Sequence, residues 1–183
     1  GWRRSLRKCT AVVVGLMTIA MNFAGLMPVA PAGVALASNH IAAPNEPASF
    51  TTPHDTIPNF CATPNIWSVN DGAWSAGATW NLGRAPQVGD KVIASVGTTV
   101  TYDVVSDAAL NCVGIRGSLV FRTSADTRLK ATHILALPRG RLQVGSQAIP
   151  IPAGVRAEII INDVALDTSR DPDQFGNGLL SID

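Results

Sequence analysis

The side chains able to do chemistry in this chain are a few carboxylates, one histidine among repeating segments, a tryptophan group and two cysteines. Asp103, Arg122, Gly145 and Asp167 each stand just beyond an alternating apolar segment led by Val100, Leu119, Leu142 and Val164 in turn. If those segments lie side by side at the strand spacing of about 4.8 Å, Asp103 and Arg122 become neighbours able to pair, and Asp103 and Asp167 fall about 14 Å apart. That gap is too wide for a retaining or an inverting carboxylate pair. The Asp103–Arg122 pair therefore reads as structural and of small energetic value if exposed. Hydrolysis would need a further carboxylate, such as Asp126 in the following loop. As a ligand surface, Asp103, Arg122 and Asp126 stand as candidates.

Trp67, Trp74 and Trp80 lie close together in sequence. Indole faces stack on sugar rings, and the same rings equally plug the end of a hydrophobic stack. Trp67 is the ligand candidate of the group. Further on, Asp171, Asp173 and Asn177 offer hard oxygen ligands in a Gly-containing loop, which suits calcium. Their spacing is not that of an EF-hand, and such residues also order turns by bonding to the backbone. His40 and His54 sit among prolines and read as solvated side chains rather than metal ligands. No nucleophile or carboxylate motif frames His133. Gly-x-Ser-x-Gly, His-Glu-x-x-His, Walker and dinucleotide fingerprints do not occur. No catalytic residue is assigned, no cofactor beyond calcium is expected, and whether the full-length protein is an enzyme stays open.

These groups must be positioned by a body that begins well after the N-terminus. Arg3, Arg4, Arg7 and Lys8 lead into an apolar run from Ala11 to Val29, then Pro31 and Ala35-Leu36-Ala37. That is the order of a secretory signal over residues 1–37, cut after Ala37. An uncleaved anchor is the rival, since the run is nearly long enough to span a bilayer. Either way the body is exported, secreted or at the cell surface, and membrane contact is confined to this segment. With 46% hydrophobic and 15% charged residues, the chain is neither disordered nor a coiled coil. Without the leading basic residues, acidic residues outnumber basic ones, so nothing favours nucleic acid. Export permits a Cys61–Cys112 disulfide, with two separate thiols as the alternative.

Residues 38–65 hold Pro44, Pro47, Pro53, Pro58 and Pro64 without a hydrophobic period, the pattern of an extended, solvated linker. Residues 66–183 follow as the ordered domain. From Lys91 onward, two interleaved apolar series emerge. One runs Val92-Ile93, Val113 to Ile115, Ile134-Leu135, Ile159 to Ile161. The other runs Val100-x-Tyr102, Leu119-x-Phe121, Leu142-x-Val144, Val164-x-Leu166. The period is about 22 residues with two short strands in each, which predicts an all-β solenoid, a right-handed parallel β-helix of four to five short rungs. The rungs fall near 91–104, 112–122, 133–145 and 157–168, and Gly178 to Ile182 opens a fifth, so the domain reads as truncated at its C-terminus. Gly97, Gly117 and Gly140 precede second-series strands and are expected at positive φ. The tryptophans then form an N-terminal cap. A β-sandwich is the competing fold, and helix is limited to a turn at Ser106–Leu110.

The stretch Trp74-Ser75-Ala76-Gly77-Ala78-Thr79-Trp80, followed by Gly83-Arg84-Ala85-Pro86-Gln87-Val88-Gly89-Asp90-Lys91-Val92-Ile93, resembles the opening of the G-eight domain family. Gly97-x-x-Val100-x-Tyr102-Asp103, Ile115-x-Gly117-x-Leu119-x-Phe121, Gly140-x-Leu142-x-Val144-Gly145 with Pro150, and Ile159 to Ile161 extend the likeness over about residues 67–183. The family implies an extracellular module, as in fibrocystin and in proteins that process hyaluronan. By that resemblance the partner is an extracellular polysaccharide or a cell-surface protein, and the role is binding or structural. The alternative is the N-terminal part of a β-helical, hyaluronidase-like enzyme. The resemblance transfers no catalytic motif, and fold does not fix function.

Overall fold

The computed structural model describes residues 44–182; the expected export segment 1–37 lies outside the described residues. In chain order the strands are β1 (Ser49–Thr51), β2 (Thr56–Pro58), β3 (Ile66–Trp67), β4 (Gly72–Ala73), β5 (Lys91–Ala94), β6 (Thr99–Tyr102), β7 (Leu110–Ile115), β8 (Ser118–Phe121), β9 (Thr127–Ala136), β10 (Arg141–Val144), β11 (Ala157–Ile161) and β12 (Gly178–Ser181). Among the described residues, only β1 and β2 pair antiparallel as strands. From β3 to β11, successive strands alternate between two parallel sheets, ordered β11-β9-β7-β5-β3 and β10-β8-β6-β4, and β12 joins the first of them beside β9. Among the described residues from β3 onward, the strands are therefore not joined by the hairpin connections of a sandwich. A 3-10 turn at Gly77–Thr79 is the helical content among the described residues. The turn expected at Ser106–Leu110 does not form, and Leu110 instead opens β7.

Register places like on like. In the first sheet Ile66, Val92, Val113 and Ile134 lie in one row across the strands. In the second, Val100, Leu119 and Leu142 share a row, as do Tyr102, Phe121 and Val144. Alternate residues of each strand face the space between the sheets, so β-branched and aromatic side chains at a period of two bury there. That space holds the main core, including Ile66, Val92, Val113, Ile115, Leu119 and Ile134. Trp74, Tyr102 and Phe121 stack along one side, with centroids 5.0 Å and 4.9 Å apart. Trp80 meets Trp74 edge-on at 4.9 Å, and its indole N–H donates to the Trp74 carbonyl at 2.8 Å. Both indoles are buried, so a plug of the β3–β4 end is the use this fold makes of them.

Glycine has two different reasons here. Gly97 sits at φ +79 with open space around it, a turn requirement. Gly117 and Gly140, expected at positive φ, are not. A Cβ at Gly117 would overlap the carbonyl oxygens of Ser95 and Thr98, and one at Gly140 the carbonyl of Ile115. The corner must pass that close to the neighbouring backbone.

Four expectations change. The 38–65 stretch is not simply a solvated linker. It carries the β1–β2 hairpin, Phe60 and Cys61 are buried, and Glu46 pairs with Arg116 at 2.7 Å. Its prolines do not prevent this short pairing: Pro53 lies in the connection and Pro58 at the end of β2, opposite Ser49. Ile160 does not align with Leu135 but pairs with Lys130, because β9 is long enough to seat two partners. β11 takes its first half, and β12 its second, with Leu180 opposite Leu135. Gly178 to Ile182 therefore completes the row beside β11 rather than opening a new one. Val164-x-Leu166 forms no strand; both residues are exposed in the loop between β11 and β12.

Candidate functional site

Alternation breaks once in β7 and once in β9, at the same place. Leu110 and Ala131 face the main core, while Cys112 belongs to a second cluster on the outer side of the sheet. Asn111 and Thr132, between these residues, drop out of the paired register. Both strands bend there together. Asn162, just past β11, holds the bend: its N–H donates to the Ala131 carbonyl at 2.9 Å, and its Nδ2 to Leu110 O and Thr132 Oγ1, each at 3.2 Å.

Over the outer face lies the end of the proline-rich stretch. Cys61 and Cys112 are joined by a disulfide with Cα atoms 5.4 Å apart. Phe60 stacks on His133 with centroids 3.9 Å apart and planes 7° from parallel. Arg170 donates to the carbonyls of Asn59 at 3.3 Å and Phe60 at 2.9 Å, and its guanidinium stands 5.7 Å from the Phe60 ring centre. The second cluster, built on Phe60, Ile93, Leu135, Leu137 and Ile182, lies beneath.

The loop between β11 and β12 arches over the bend. Asp171 anchors it, accepting the Phe175 N–H at 3.0 Å and the Gly176 N–H at 2.8 Å. Asn177 donates to the Val164 carbonyl at 2.7 Å, and Asp167 accepts from the Ser169 and Arg170 amides. Between loop and sheet is a cleft of about 280 Å³, which includes Phe60, His133 and Leu166 in its walls. A second depression of about 580 Å³ runs beside it past Lys130, Ile160 and Asn162. The two share Asn111, Thr132 and Val164. Burial pushes the His133 imidazole below its ordinary range and Arg170 adds to this, against Asp171 and a hydrogen bond to the Gly176 backbone. Burial and Arg170 also lower Lys91.

The residues singled out from sequence end up dispersed. Trp67 is half-buried against the margin of the second cluster. Asp103 and Arg122 stand 3.6 Å apart, and Asp103 further accepts the Ser75 N–H at 3.0 Å and hydroxyl at 2.7 Å. Asp126 accepts the Arg156 N–H at 2.8 Å, a bond between distant parts of the chain just ahead of β9 and β11. Asp171 and Asn177 reach the cleft wall, while Asp173 is exposed outside it. Both Asp171 oxygens are already engaged by backbone amides. Among the described residues, no group of three or more His, Cys, Asp or Glu is placed to hold a metal ion. Asn111, Thr132, Asn162 and Arg170 escaped the sequence reading. The one written signal is the lapse in alternation at Leu110-Asn111-Cys112.

The G8 domain family model matches residues 79–182. Fibrocystin-L of Homo sapiens is 32% identical over 78 residues, a stretch covering 43% of this chain and 2% of that protein. The chain thus spans a small fraction of the relative it matches. No solved structure matches the chain.

Proposed function

Because the chain belongs to the G8 domain family, we propose that it is an extracellular module of right-handed β-helical build that holds polysaccharide without cleaving it. The coil reading is supported by strands that alternate between two sheets and pair in parallel. Export is supported by the likeness to fibrocystin-L and by the disulfide, a bond that persists in oxidising compartments. No helix among the described residues is long and apolar enough to cross a membrane.

The observation that carries the binding role is the cleft between the sheet and the β11–β12 loop. It joins an aromatic wall to side-chain amide, hydroxyl and guanidinium groups, the mixture that orients a ligand in a concave site. The Asp103–Arg122 flank is a lesser candidate, since Ser75 already occupies the carboxylate. The test is an array of neutral and acidic polysaccharides probed with the full chain. Retention of at least one class is expected, and retention of none refutes the role.

A second reading, the N-terminal part of a polysaccharide-degrading β-helix, is favoured by one observation. Strands β10, β11 and β12 each pair with one neighbouring strand among the described residues, at the same end of the order. Finding a stop codon directly after residue 183 in the reading frame would exclude it.

A further inference from the structure

We propose that the cleft and its neighbouring depression form one groove for an uncharged saccharide chain, not an acidic one. The inference rests on the polysaccharide reading above and goes on to specify the ligand.

Charge comes first. The groove walls carry Lys130 and Arg170 against Asp163, Asp167 and Asp171, so the cations are outnumbered. Arg170 is further committed to the carbonyls of Asn59 and Phe60. A polyanion would need the opposite balance, because clefts of one sign concentrate ligands of the other.

The hydrogen-bonding groups common to both parts of the groove are uncharged. Asn111 and Thr132 line the cleft and the depression alike, and an amide and a hydroxyl can each donate to and accept from sugar hydroxyls.

The apolar surface fits as well. Ile160, Val164 and Leu166 are 38%, 48% and 42% exposed in the groove walls. Neutral sugars present C–H faces rimmed by hydroxyls, matching apolar patches set among Asn111, Thr132 and Asn162.

The experiment titrates the ¹⁵N-labelled full chain with cellohexaose, chitohexaose and a hyaluronan hexasaccharide at low and high salt, and adds a neutral Gly/Ser peptide as control. A neutral hexasaccharide is expected to shift the Asn111, Thr132 and Asn162 signals, with affinity independent of salt. Asn111→Ala should weaken it by about fivefold, the loss of one hydrogen bond. Asp163→Lys should improve the acidic ligand relative to the neutral one, in a salt-dependent way. Tighter, salt-dependent binding of the hyaluronan fragment in the groove overturns the inference but keeps the polysaccharide reading. So does neutral binding that shifts other signals and ignores Asn111→Ala. Binding of no saccharide, with or without capture of the peptide, overturns both.

Discussion

The disulfide lends itself to a quantitative test because its partners differ so much in context. Cys112 belongs to a strand in the middle of a parallel sheet, and Cys61 to a stretch that crosses the outer face. The bond closes a loop with a sequence separation of 51. On the chain-entropy model, that loop constrains the unfolded chain by about 4 kcal/mol at 25 °C. Replacing both residues by alanine (Cys61→Ala with Cys112→Ala) removes the constraint while keeping the site apolar. Equilibrium urea unfolding of the variant against the oxidised parent measures the difference. With a slope of about 2 kcal/mol/M, the midpoint should fall by about 2 M. A local readout accompanies it. The Cys61 amide donates to Asn59 Oδ1 at 3.0 Å and the Asn59 amide to the Ala48 carbonyl at 2.8 Å. Hydrogen exchange at both should accelerate beyond the global change, because Phe60, stacked on His133, then holds the stretch without a covalent neighbour. A loss below about 1 kcal/mol, with both amides still protected, would refute the reasoning. It would mean that packing alone fixes the stretch and that the cross-link leaves the unfolded ensemble unconstrained.

Other outcomes follow from the same contacts. Gly140→Ala forces a Cβ into the Ile115 carbonyl and should cost about 3 kcal/mol or more, against about 1 kcal/mol for Gly154→Ala at φ +89 in open space; paired thermal melts compare them. Trp67→Ala should cost about 2 kcal/mol in urea unfolding and leave saccharide affinity unchanged, since its ring packs against the second cluster. Burial alone would raise the Asp90 carboxyl, but Arg84 at 2.7 Å, the Gln87 N–H and Asn65 hold it below its ordinary value of 3.8. A lowered folded value means the stabilisation is present above pH 3.8 and is lost as pH falls through the folded value; Asp90→Ala should flatten that limb of the acid-unfolding curve. Arg122→Ala should change stability by less than about 0.5 kcal/mol, because Arg122 is exposed and its partner Asp103 keeps Ser75.

The two interleaved series from Val92 to Leu142 are legible in the chain because both of their periods are carried by side-chain type. A period of two says which residues face inward, and a repeat near 22 residues says which strands are neighbours, so Val100, Leu119 and Leu142 align as their spacing predicts. The all-β class and the scarcity of helix follow from the same pattern, while the family likeness rests on the Trp74–Trp80 and Gly83–Ile93 stretches and the motifs after them. Other features have no such local signature. β3 and β4 are two residues long each, too short for alternation to mark. The two partners of β9 follow from its length and from a bend at Thr132 that exists only because Asn111 bends beside it and Asn162 bonds across both. Gly117 and Gly140 are visible as glycines, but the close approach that requires them belongs to backbone from another turn of the chain. The candidate groove is the extreme case. Phe60, Asn111, Lys130, His133 and Arg170 are scattered along the sequence and share no motif. Chain order determines which residues alternate and repeat; it cannot express the meeting of a disulfide-bound stretch, a double bend and an arching loop, because that meeting is a property of distances the folded backbone alone sets.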